Sequence, residues 1–129
     1  MKKRVYLMLV SLFIWAAAVI AQDLSGLTNA FKHGSAQELA PYLGENVEYI
    51  YAGTSRNYNK PSAQQALTGF FMANKVNGFS VNHQGKRDES GFIVGTLTTA
   101  GGNYRINCFF KKIDEKYLIH QIRIDKTNE

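Results

Sequence analysis

Two histidines stand in alternating apolar runs, His83 after Phe79-x-Val81 and His120 between Leu118 and Ile122. An imidazole facing an apolar interior can act as a base or hold a ligand by a hydrogen bond. It can equally be a core-edge side chain satisfied by a backbone carbonyl. If both rings point inward they share a cavity, although two histidines without a third ligand make no convincing zinc site. Cys108, between Ile106 and Phe110, becomes a nucleophile only with a base at hand, and its apolar flanks read more simply as burial. Tyr51, Tyr58 and Tyr104, with Tyr49, could line a pocket mouth, each offering a flat apolar ring with a hydroxyl at its tip. They are also ordinary strand formers. The acids Asp88, Glu89, Asp114, Glu115 and Asp125 fall at turns, termini or outward positions, and Glu48 points away from Val47 and Tyr49. Proton abstraction of the isomerase kind therefore lacks an inward carboxylate. Gly101-Gly102 reads as a hairpin turn rather than a phosphate loop, and no Ser–His–Asp set can be assembled. Neither a metal nor a cofactor is expected. The candidate ligand-binding residues are Tyr51, Tyr58, His83, Tyr104, Cys108 and His120.

The elements that must position them follow from periodicity. Alternating runs at Gly78–Lys86, Phe92–Thr99, Tyr104–Ile113 and Lys116–Asp125 are separated by short turn-rich breaks, which predicts an antiparallel meander. Strict alternation turns Phe79, Val81 and His83 inward, then Tyr104, Ile106, Cys108 and Phe110, then Leu118, His120, Ile122 and Ile124. The Phe92–Thr99 run fits either face, and its Gly95 suggests a bend or bulge.

Ahead of the meander, Lys60–Lys75 is the clearest helix, capped by Asn59, with Pro61 in its first turn and Ala63, Ala66, Leu67, Phe70 and Phe71 on one stripe. A shorter helix over Asp23–Gly34 carries Leu24, Leu27, Ala30 and Phe31 on one face. Ser35 can cap a second, Ala36–Leu43, in which Pro41 is awkward. Glu45–Tyr51 reads as a strand, with Arg56–Tyr58 pairing back on it.

Residues 1–21 read as a cleaved signal peptide: Lys2, Lys3 and Arg4, an apolar run from Val5 to Ile20, then Val19 and Ala21 as small cleavage-site residues. Gln22 stands where a lipoprotein would need Cys. The expectation is a secreted or periplasmic chain with one domain over residues 22–129 and no stable membrane anchor. The full chain has 15 Lys+Arg against 10 Asp+Glu, a net charge of +5. Losing the three leader cations lowers that to +2, so the basic pI of about 9.4 is no argument for nucleic-acid binding. Lys111-Lys112, an adjacent basic pair, reads as a solvated strand end.

Helices, a strand, a long amphipathic helix and then a curved meander resemble the nuclear transport factor 2-like (cystatin-like) fold, an α+β cone of antiparallel sheet wrapped on N-terminal helices. Within it the chain resembles a secreted Bacteroidota family that is a domain of unknown function. The resemblance rests on Asn59-Lys60-Pro61-Ser62-Ala63 leading to Gly69-Phe70-Phe71, on His83-Gln84-Gly85, on Phe92-Ile93-Val94-Gly95-Thr96-Leu97, and on Tyr104-Arg105 with Ile122-Arg123-Ile124. It implies fold and export and carries over no catalytic residue. Enzymes of this fold commonly hold an Asp or an Asp–His pair inside the cone, which this sequence does not offer. The expected function is an exported, non-catalytic domain binding a small apolar or amphipathic molecule or an envelope protein. The alternative is an isomerase, dehydratase or hydrolase using His83, with His120. A homodimer through the outward, polar sheet face is a third expectation.

Overall fold

The computed structural model describes residues 25–127, so the leader predicted for residues 1–21 lies outside the described residues. Helix α1 covers residues 25–33 and buries Leu27, Ala30 and Phe31. It ends where Gly34 takes a left-handed φ of 59° and Ser35 N–H reaches back to the Ala30 carbonyl at 3.0 Å, the usual glycine stop. Helix α2 (Ala36–Leu39) is capped by Ser35, whose Oγ accepts from Glu38 N–H. Pro41 shortens it as expected: a 3-10 turn, Ala40–Tyr42, follows, and strand β1 starts at Leu43.

Strands β1 (Leu43–Tyr51) and β2 (Thr54–Asn59) form a hairpin that leads into helix α3 (Lys60–Ala73). Asn59 Oδ1 accepts from Ser62 N–H at 2.9 Å to open α3. Asn74 closes it two residues earlier than the stripe predicted, its backbone N–H and its Nδ2 both donating to the Phe70 carbonyl. The meander then runs β3 (Val76–Arg87), β4 (Ser90–Thr99), β5 (Gly102–Ile113) and β6 (Lys116–Lys126). The six strands form one sheet ordered β2-β1-β6-β5-β4-β3, antiparallel throughout except for the parallel pairing of β1 with β6. The fold is α+β, as expected: helices packed on one face of a curved sheet.

Aromatic contacts fasten helices to that face. The Phe31 ring stacks on Phe79 at 4.9 Å between centroids, joining α1 to β3. Phe70 meets Tyr104 edge-on at 5.0 Å, joining α3 to β5. Between them lies one core that includes Leu39, Leu43, Val47, Leu67, Leu97, Ile106, Ile119, Ile122 and Ile124.

Register corrects the alternation in two places. Val81 pairs with Gly95 but His83 pairs with Val94, so β3 carries one extra residue. A bulge reverses which side chains face in. Beyond it, Gln84 turns inward opposite Ile93 and His83 turns outward. The second bulge lies between Phe109 and Phe110, opposite β6, where Phe109 pairs with Gln121 and Phe110 with Ile119. There Ile119, not Leu118, is the buried residue, and His120 is the extra one. The ambiguity in β4 resolves with Ile93, Gly95 and Leu97 buried. Any Cβ at Gly95 would collide with the Phe79 ring, which is why glycine stands there.

Candidate functional site

A cleft opens at one end of the cone, between the start of the chain's helical layer and the far ends of two hairpins. Leu27 from α1 and Pro41 and Tyr42 from the 3-10 turn form one wall. The β3–β4 hairpin supplies Gln84 through Lys86 and Gly91 through Ile93; the β5–β6 hairpin supplies Phe110, Lys112 and Glu115 through Leu118. The cleft has a volume of about 870 Å³. Both bulges shape it, since each lies just before its hairpin end and decides which side chains reach the opening. Apolar groups make up most of the wall, and the ionic groups sit on the hairpins: Lys86, Lys112, Lys116 and Glu115. Lys86 Nζ lies 4.9 Å from the centre of the Tyr117 ring, a cation–π contact. Lys112 Nζ lies 3.8 Å from Glu115 Oε2.

A second, more open groove of about 490 Å³ runs between the β1–β2 hairpin and α3, lined by Tyr49, Tyr51, Arg56, Tyr58, Gly69, Phe70 and their neighbours. Here the tyrosines do gather. Tyr49 lies 6.5 Å from Tyr51 and 5.8 Å from Tyr58, and Tyr51 meets Phe70 edge-on at 5.9 Å. The Tyr104 hydroxyl, close to that of Tyr51, donates to Asn74 Oδ1 at 3.1 Å. Burial, reinforced by Tyr51 and Tyr58, pushes the Tyr49 phenol up to about 12. Burial and then the Tyr104 contact raise that of Tyr51 as well.

Of the six residues singled out in the sequence, Tyr51 and Tyr58 line this groove and Tyr104 is buried beneath it. Cys108 is fully enclosed in the core, paired across the sheet with Ile93 and Ile122. Burial alone pushes its thiol up to about 12. Neither His83 nor His120 lines either cleft, and His83 does not take the inward place that alternation assigned it. His83 is exposed on the face turned from the helices, and His120 sits half-buried in its bulge beside Phe109, Lys111 and Glu48. Burial, then Lys111, lowers the His120 pKa, against the opposing pull of Glu48. Its Nδ1 is buried without a hydrogen-bond partner among the described residues. The carboxylates keep to the outside: Glu48 accepts from Ser55 Oγ at 2.7 Å, and Asp125 pairs with Arg123 at 2.8 Å.

Sequence reasoning missed the wall residues Tyr42, Gln84, Lys86, Lys112 and Tyr117. Alternation without the bulge sends Gln84 outward, and Lys112 was read together with Lys111 as a solvated pair. Pairing places Lys111 opposite Leu118, and Lys112 opposite Tyr117 on the cleft side. Nor is the outer sheet face uniformly polar. Phe92 and Phe109 pair across strands there, 40% and 36% exposed.

The sequence pattern of DUF4783, a domain of unknown function, matches residues 24–125. The chain belongs to the DUF4783 family. A solved DUF4783 protein from Bacteroides ovatus is 58% identical and superposes with a TM-score of 0.80, covering 81% of this chain and 94% of its own. More distant structures agree on the fold alone. A cystatin-like domain from Nostoc punctiforme has a TM-score of 0.66 at 12% identity, covering 88% of this chain and 78% of that one. An NTF2-like protein from Shewanella oneidensis has 0.61 at 17%, covering 84% and 98%. DUF4783 thus takes an NTF2-like, cystatin-like fold, as the motifs implied. No curated protein matches the chain.

Proposed function

We propose that the chain is an exported binding domain that takes a small apolar or amphipathic molecule into the mouth of its cone. The observation that carries this is the cleft itself: about 870 Å³, walled by Leu27, Tyr42, Ile93, Phe110 and Leu118. Small-molecule sites typically measure about 300–1,000 Å³, mostly apolar with a few placed polar groups. The wall draws on α1, the 3-10 turn and both hairpins, so it is set by the packed core rather than by a loop. The apolar leader expected at residues 1–21 supports export.

Displacement of a neutral environment-sensitive dye, Nile red, by decanol tests the proposal. Decanol should compete for the dye and raise the thermal midpoint of the protein. Tyr117→Asp, at a half-buried position on the cleft side, should abolish both effects while leaving a cooperative unfolding transition. Dye uptake unaffected by Tyr117→Asp, or no competition by decanol, would contradict a site in the cone mouth.

A further inference from the structure

The ionic groups around the cleft are unbalanced in sign. Lys86, Lys112 and Lys116 line it against one carboxylate, Glu115. The other acids of the hairpin ends, Asp88, Glu89 and Asp114, are exposed at the turns and are not among the wall residues. The single opposing charge is weakly engaged. Glu115's side chain is 91% exposed and its oxygen lies 3.8 Å from Lys112 Nζ, a pair of neighbours in an exposed turn region. Lys112 is better enclosed, at 35% side-chain exposure, and Lys86 is steered by the Tyr117 ring rather than by an acid. Below these cations the wall turns apolar, through Ile93, Phe110 and Leu27. A small hydrophilic anion would leave that apolar surface uncovered. A neutral hydrocarbon would leave the cations unused. The combination suits a molecule with both parts.

We propose that the ligand class is an amphiphile with a negatively charged head, its aliphatic tail against Leu27, Ile93 and Phe110 and its head at Lys86, Lys112 and Lys116. This rests on the cone-mouth reading above and specifies its ligand. Charge pairing at the rim adds to apolar burial deeper in, and the electrostatic part weakens with added salt while the apolar part does not.

Isothermal titration of the purified protein with decanoate and with decanol, which share a tail and differ in head charge, separates the two claims. At low salt decanoate should bind about tenfold more tightly than decanol, a preference worth about 1.4 kcal/mol. The double variant Lys112→Gln, Lys116→Gln should remove most of that preference and leave decanol binding unchanged. Glu115→Gln should move the other way, strengthening decanoate about two- to threefold. A damaged fold cannot produce that gain. Equal affinity for the two probes, unaltered in the lysine variant, overturns the charge assignment and leaves the cavity reading standing. Binding of neither probe overturns both.

Discussion

Burial, not sequence neighbourhood, decides what each titratable side chain can do here. Cys108 is enclosed by Ile93, Ile106, Phe110 and Ile122, and its thiol is pushed up to about 12 from an ordinary value near 9. Thiol-alkylating reagents should therefore leave the native protein unmodified at pH 8 and react once urea unfolds it. Rapid labelling without denaturant would contradict its burial. The same shift sets an alkaline limit. Above pH 9 the unfolded chain loses this proton and the native chain does not, so stability falls as pH rises through that range. His120 acts at the acid end. Its pKa is lowered in the native state, so below about 6.5 the unfolded chain takes up the proton first and the stability held above that pH is lost. Urea midpoints should thus decline on both sides of neutrality, with His120→Gln flattening the acid limb. At this scale the sequence was legible for Cys108, whose apolar neighbours on both sides state its surroundings. It was not legible for His83 and His120. Their orientation hangs on one inserted residue in each hairpin, and alternation carries no mark of where an insertion falls.

Among the elements, helix α3 and the β5–β6 turn offer the clearest tests. Phe70 is buried against Tyr51, Phe71 and Tyr104, all within 5.9 Å between ring centroids. Phe70→Ala should cost about 3–5 kcal/mol in urea unfolding; a loss under about 1 kcal/mol would mean that α3 does not seal the sheet. The β5–β6 turn holds a compensating opportunity. Asp114 and Glu115 both take left-handed backbone, with φ of 52° and 69°, the two-residue turn that prefers glycine second. Glu115→Gly should stabilise the protein by about 1 kcal/mol at unchanged m-value, since the exposed Lys112 pair it gives up is weak. Elements were the most legible level. Helix stripes, Asn59 and Ser35 caps, the Pro41 break and the hairpin breaks each have a local physical cause written in a few adjacent residues. The partner of β1 was not legible, because its parallel pairing with β6 joins segments about seventy residues apart.

As a whole molecule the chain is a cone with its apolar weight on one face of the sheet and a cleft at one end. The overall order of helices and strands, together with the Asn59–Ala63 and Gly69–Phe71 motifs, is enough to point to this architecture. The cleft could not be read the same way. Its wall gathers Leu27, Tyr42, Gln84, Phe110 and Tyr117, residues that no single segment brings together, and two bulges select which of them reach it. The tyrosines that the sequence did offer form a packed cluster under α3 instead.

The cone-mouth site is tested most directly by backbone amide shifts in a two-dimensional ¹H–¹⁵N spectrum as decanol is titrated in. Shifts concentrated at Leu27, Tyr42, Ile93, Phe110 and Tyr117 are the predicted result. Shifts confined to the Tyr51–Tyr58–Phe70 groove or the outer Phe92–Phe109 pair, or no shifts at all, would contradict it.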